Sequence, residues 1–158
     1  MVPTQKGQYP HAVPDVLIAA DAPGVRNELR SVLSGLPDVT IREVDSGTAA
    51  IEAVEEQEPD LVILDFQMGN MGAIAVTLEL RLEESGDRLD HVPVLVLVDR
   101  RPDVFMVRRS DAEGWLVKPL DPIRVRKAAT ALLAGETYYD DSYLPSPVVS
   151  SVSGGGES

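Results

Sequence analysis

Two short apolar runs constrain the fold of this chain more than any other feature of its sequence. In DLVILD (60–65) and VPVLVLVD (92–99), an uninterrupted apolar stretch continues up to a closing aspartate. A strand of this kind is buried on both faces, which is typical of a parallel sheet covered by helices on each side. The two runs therefore predict the centre of a parallel α/β sheet.

Strand and helix patterns alternate along the rest of the chain. The last helical segment (121–135) shows the pattern most clearly, because it opens with the capping residue Asp121 and closes at Gly135. The predicted strands are 15–20, 39–44, 60–65, 92–99 and 114–117, and the predicted helices are 24–35, 46–57, 72–85, 103–111 and 121–135. This order predicts parallel strands joined by right-handed crossovers. We expect an α/β fold with a doubly wound, five-stranded parallel sheet of strand order 2-1-3-4-5, the flavodoxin-like arrangement.

The composition excludes several classes of function. The formal net charge is −12, so phosphates are repelled and we expect no nucleic acid partner. The chain has no cysteine, which excludes disulfides, thiolate catalysis and cysteine-ligated metals. We find neither an apolar run of roughly 18 residues nor the apolar core of a signal peptide. We therefore expect a cytoplasmic protein without direct membrane insertion.

The two ends of the chain differ in composition from its middle. Residues 1–12 are polar with scattered proline and glycine, and they predict a flexible arm before a domain at 13–135. Residues 136–158 predict a tail that is disordered or becomes ordered on a partner. The candidates for partner contact in this tail are Tyr138, Tyr139, Tyr143 and Leu144.

Charged residues follow three of the predicted strands. Asp21 follows the first strand, Asp65 ends the third, and Lys118 follows the fifth. In a doubly wound sheet the carboxyl ends of these strands form one edge, where ligands bind. Paired carboxylates suit Mg²⁺, and a carboxylate beside such an ion can attack a phosphoryl group. The sequence therefore predicts a cluster of chemical groups at this edge.

Residues 14 to about 134 resemble the receiver domain of bacterial two-component response regulators. The resemblance rests on VLIAADAPGVR (16–26), PDLVILDFQMGNMG (59–72), PVLVLV (93–98) and DAEGWLVKPLDP (111–122). It implies the (βα)5 receiver fold and a role in signalling without enzyme activity beyond self-phosphorylation from a phosphodonor.

The resemblance also implies roles for individual residues. Asp65 would be the phosphoacceptor, and Asp21 would bind Mg²⁺ together with Asp65 and the backbone carbonyl of Gln67. Lys118 would pair with Asp65 or with a phosphoryl oxygen, and Trp115 occupies the aromatic switch position.

The pocket departs from the pattern of that family at three positions. Ala20 stands where the family has an acid, Val98 where it has a hydroxyl, and Asp99 where it has a small residue. A hydrogen bond to a charged group contributes about 1.5–3 kcal/mol. This is similar in size to the typical coupling energy between two allosteric sites, about 1–3 kcal/mol. The lost hydroxyl at Val98 therefore predicts a degraded switch, and the lost acid predicts a weakened Mg²⁺ site.

These observations favour an atypical single-domain response regulator that acts as a protein-interaction module without phosphorylation. Four arginines stand out in an acidic chain as a candidate docking patch: Arg100, Arg101, Arg108 and Arg109. Similarity to orphan actinobacterial regulators implies a possible accessory-subunit role on the cytoplasmic arm of respiratory complex I, peripheral to the inner membrane. The alternative is a conventional regulator that a histidine kinase phosphorylates on Asp65. A phosphoryl-transfer enzyme is disfavoured, because Gln67 stands where a second acid would be needed.

Overall fold

The computed structural model describes residues 13–141. The predicted arm at 1–12 and the candidates Tyr143 and Leu144 lie outside this range. In the described range, five strands alternate with five helices, and a short sixth strand follows. The strands are β1 (Asp15–Ala19), β2 (Thr40–Val44), β3 (Leu61–Asp65), β4 (Val94–Val98), β5 (Gly114–Val117) and β6 (Tyr138–Tyr139). The helices are α1 (Pro23–Leu33), α2 (Gly47–Glu56), α3 (Ala73–Ser85), α4 (Asp103–Arg109) and α5 (Pro122–Leu133).

The sheet confirms the predicted topology. Its strand order is β2-β1-β3-β4-β5-β6, and all five pairings are parallel. Every residue of β1, β3 and β4 is buried. Helices α2, α3 and α4 supply the apolar core on one face of the sheet, and α1 and α5 supply it on the other. The sheet therefore presents the ends of its strands, and not its faces, to possible ligands.

Predicted helix caps begin two of these helices. The hydroxyl of Ser46 accepts a hydrogen bond from the backbone N–H of Ala49 at 3.1 Å, which caps α2. The carboxylate of Asp121 accepts one from the N–H of Ile123 at 2.9 Å and caps α5. Each cap satisfies a backbone donor that the first turn of the helix leaves unpaired.

No helix within the described part of the chain is long and apolar enough to cross a membrane.

The structure departs from the predicted tail at residues 136–141, which contain β6. The N–H of Tyr138 donates to the carbonyl of Glu113 at 3.1 Å, and the N–H of Asp140 donates to the carbonyl of Trp115 at 3.2 Å. This pairing is possible because β5 presents Gly114, where a Cβ atom would lie 2.5 Å from the Tyr138 carbonyl oxygen. Tyr138 and Tyr139 therefore belong to the sheet, as a short edge strand that polar composition hid.

Candidate functional site

Asp65 and Lys118 meet at the carboxyl edge of the sheet. Asp65 is the last residue of β3 and is only 5 % exposed. Lys118 directly follows β5, and its ammonium Nζ lies 2.8 Å from Asp65 Oδ1. Strand β4 separates β3 from β5, so the long lysine side chain reaches across it to the carboxylate. The structure thus brings together two of the residues that the sequence placed at this edge.

Asp99 is a second carboxylate on the same ammonium. Its Oδ1 lies 3.0 Å from Lys118 Nζ. Asp99 is the first residue after β4, the strand between the other two. We had expected this residue to repel an incoming anion, and its direct pairing with Lys118 was not predicted. The only signal in the sequence was its position at the end of the middle strand.

Burial and charge act in opposite directions on these groups. Burial raises the pKa of the Asp65 carboxyl, and this effect outweighs the hydrogen bond from Lys118 that lowers it. Burial lowers the pKa of Lys118, but the hydrogen bonds to Asp65 and Asp99 outweigh it, so that this pKa is raised. Lys118 therefore remains an ammonium that two carboxylates share.

The residues predicted to form the Mg²⁺ site differ in burial. Ala20 and Val98 are fully buried apolar residues, whereas Asp21 and Gln67 are exposed. The guanidinium of Arg26 donates to the Ala20 carbonyl at 2.6 Å, which places a cation at the end of β1. Nowhere in residues 13–141 do three or more His, Cys, Asp or Glu side chains group to hold a metal ion. The Mg²⁺ site predicted from Asp21, Asp65 and the backbone carbonyl of Gln67 therefore gains no third acidic or histidine side chain from this part of the chain.

Trp115 is fixed by contacts on several sides. Its ring is 4 % exposed and stacks on Tyr139, with the ring centroids 4.5 Å apart. The indole N–H donates to the carbonyl of Asp140 at 3.1 Å, and the Arg108 guanidinium lies 5.4 Å from the ring centroid. Tyr139 belongs to β6, Asp140 directly follows β6, and Arg108 belongs to α4. The residue at the predicted switch position is thus packed between two elements of the fold.

The predicted arginine patch lies at the two ends of α4, with two arginines before the helix and two in its last turn. Arg100 pairs with Asp103 at the start of the helix, with 3.2 Å between Nη2 and Oδ1. The four predicted residues are all exposed: Arg100, Arg101, Arg108 and Arg109. Between them, α4 also exposes Phe105 and Met106, at 64 % and 52 %. Sequence analysis missed these two apolar residues, because a helix of seven residues shows little periodicity. We call Arg100, Arg101, Phe105, Met106, Arg108 and Arg109 the α4 surface.

The fold and the edge described above are those of a known family. The family model described as the response regulator receiver domain matches residues 16–130. The chain belongs to this family. Receiver domains are generally non-enzymatic signalling modules that interact with histidine kinases and other proteins, and they typically bind Mg²⁺ at the phosphorylation site.

Individual relatives agree with this assignment. The nitrate/nitrite response regulator protein NarL of Escherichia coli is 28 % identical over 131 residues, which cover 82 % of this chain and 59 % of NarL. The chain thus spans about six tenths of that relative. The chemotaxis protein CheY of Halobacterium salinarum is 26 % identical over 75 % of this chain and 95 % of CheY.

A solved receiver domain has the same fold. The signal receiver domain of the putative response regulator NarL from Mycobacterium tuberculosis superposes with a TM-score of 0.71 and 26 % identity, covering 79 % of this chain and 99 % of that domain. This receiver domain therefore shares its fold with the present chain.

Proposed function

We propose that this receiver domain is a protein-interaction module that works without phosphorylation of Asp65. The observation that supports this proposal best is that no group of three or more His, Cys, Asp or Glu side chains surrounds that carboxylate within the described residues. A metal ion normally neutralises the charge that develops when a carboxylate attacks a phosphoryl group. Without such an ion, and with Lys118 already shared by two carboxylates, the attack lacks its main electrostatic support.

The α4 surface is the proposed docking site. It combines exposed arginines with Phe105 and Met106, on a chain whose formal net charge is −12. Arginine and exposed aromatic residues are enriched where proteins bind one another. A partner with an acidic rim and an apolar centre would complement this surface. Arg108 also links the α4 surface to β5, because its guanidinium lies over the indole ring of Trp115.

The proposed partner is a large assembly on the cytoplasmic side of the inner membrane, such as the cytoplasmic arm of respiratory complex I. This part of the proposal rests on the resemblance to orphan actinobacterial regulators alone. In that role the protein would be an accessory subunit without a redox group. Tyr139 is half exposed on β6 and would extend the contact beyond the α4 surface.

The phosphorylation part of the proposal has a direct test. After incubation with acetyl phosphate and Mg²⁺, intact-mass spectrometry of the wild type should show no phosphoryl adduct, because no cluster of three metal-binding side chains surrounds Asp65 among the described residues. The receiver domain of E. coli NarL, treated in parallel, serves as the control for the reagent. An adduct that disappears in Asp65→Ala would contradict the proposal.

Such an adduct would establish the alternative, a conventional regulator with a cognate histidine kinase. One observation favours this alternative: Lys118 contacts the Asp65 carboxylate at 2.8 Å, and both lie at the strand-end edge. In that case Asp65 would be the phosphoacceptor, and the metal would have to recruit Asp21 and the carbonyl of Gln67 on binding.

Docking through the α4 surface has its own test. Reversing the charge in the double variant Arg101→Glu/Arg109→Glu should reduce co-purification with the assembly about tenfold or more, because like charges would face an acidic rim. Lys127→Glu is the matched control, since Lys127 is an exposed cation on α5. Equal recovery of all three proteins with the assembly would exclude the α4 surface, and no recovery of the wild type would exclude the assembly.

A further inference from the structure

The Lys118 side chain joins the ends of β3, β4 and β5. Its ammonium has three N–H donors. One contacts Asp65 at 2.8 Å and another contacts Asp99 at 3.0 Å. The backbone N–H of Lys118 also donates to the carbonyl of Val98 at 2.9 Å. Lys118 is therefore attached to the end of β4 through its backbone and to the turn after β4 through its side chain.

Asp99 begins the short segment that leads from β4 into α4. Only residues 99–102 separate Val98, the last residue of β4, from Asp103, the first residue of α4. Within this segment Arg100 is bonded to the buried Asp103, through its carbonyl to the Asp103 N–H at 3.1 Å and through its guanidinium to the carboxylate. A fixed Asp99 thus fixes the start of the helix that carries the α4 surface.

We propose that Asp99 is a positioning residue that acts as a built-in anion: its carboxylate holds Lys118 and thereby keeps α4 in one position without any added phosphoryl group. This inference rests on the proposed function, since it explains how the docking surface is set in the absence of phosphorylation. A charge-assisted hydrogen bond is stronger than a neutral one. The bond between Asp99 and Lys118 joins two turns and needs no cofactor, so the position of α4 is constant.

The same contact opposes a phosphoryl group on Asp65. Such a group would carry nearly two negative charges and would need donors at its oxygens. The ammonium that could provide them already binds two carboxylates. Removing the Asp99 carboxylate should leave a second N–H donor of Lys118 without a carboxylate and remove one negative charge beside it, so a small oxyanion from solution should then be able to bind there.

The test is amide hydrogen exchange in wild type, Asp99→Ala and Asp99→Asn, each with and without inorganic phosphate. In both variants, exchange in residues 103–109 should become about two- to fivefold faster, the factor expected when an ion pair with a carboxylate that is 45 % exposed is lost. Inorganic phosphate should restore slow exchange in Asp99→Ala and should leave the wild type unchanged. Asp90→Ala, which removes an exposed acid before β4, should exchange in this region like the wild type.

The possible outcomes separate the inference from the proposed function. Unchanged exchange in both Asp99 variants would overturn the inference. So would faster exchange in Asp99→Ala alone, which would indicate packing, or a change that phosphate does not reverse. None of these results depends on whether wild-type Asp65 is phosphorylated, because mass spectrometry measures that separately.

Discussion

Asp15→Ala will lower the free energy of unfolding by about 3 kcal/mol, near the lower end of the range for a broken buried ion pair. The Asp15 side chain is 8 % exposed and accepts hydrogen bonds from Arg42 Nε at 3.0 Å and Arg42 Nη2 at 2.6 Å. Gln57 Nε2 donates a third at 3.0 Å. This carboxylate therefore joins β1, β2 and the end of α2. Its loss would remove this carboxylate from the Arg42 guanidinium, which is a quarter exposed and would keep only its hydrogen bonds to the carbonyls of Ala53 and Gln57 among the described contacts.

Urea unfolding followed by circular dichroism measures this effect, and a double-mutant cycle isolates the pair. Arg42→Met keeps much of the apolar stem, and the double variant Asp15→Ala/Arg42→Met should be more stable than the sum of the single losses indicates. Glu43→Ala is the control, since it removes an exposed pair with Arg30 and should change stability far less. Strict additivity in the cycle would show that Asp15 and Arg42 do not stabilise each other.

The parallel core was predictable because its cause is local. Uninterrupted apolar runs, caps such as Ser46 and Asp121, and alternation of segments all point to the same sheet order. The meeting of Asp65 and Lys118 was predictable for a related reason. Topology alone places the ends of parallel strands at one edge, and both residues end or follow such strands.

The Asp99 contact could not be read from the sequence. Whether Asp99 repels an anion or binds a cation depends on the direction of its side chain in the turn after β4, and sequence spacing does not determine that direction. The exposure of Asp21 could not be read from the sequence either, because Asp21 is exposed although it directly follows the buried Ala20.

Strand β6 was missed for a different reason. Two residues are too few to show alternation, and their polar neighbours indicated disorder. They are ordered by contacts with residues distant in sequence: Gly114 of β5 pairs with Tyr138, and the ring of Trp115 stacks on Tyr139.

Gly114→Ala should therefore release β6 and destabilise the domain by about 1–3 kcal/mol, the usual cost of forcing an extra methyl group into a packed site. Its Cβ would lie 2.5 Å from the carbonyl oxygen of Tyr138, a backbone atom, and 3.2 Å from Leu95 Cδ1. The strand can avoid this contact only by moving away. Tyr139 would then leave the indole of Trp115, whose N–H would lose its bond to Asp140.

Trp115 is the only tryptophan, so its fluorescence reports this change without interference. We expect a red-shifted emission and stronger quenching by acrylamide in Gly114→Ala. Gly24→Ala is the matched control: no atom lies within 4 Å of its added Cβ. In the first turn of α1 it should leave the emission unchanged and stability equal or higher. Tyr139→Ala exposes the same ring without the clash at Gly114, so an unchanged emission in both variants would contradict the proposed packing.

A released β6 together with weaker docking, and still no adduct on Asp65, would mean that β6 sets the binding surface through Trp115 and Arg108. Regulation of this receiver domain would then act at the edge of its sheet and not at the end of β3.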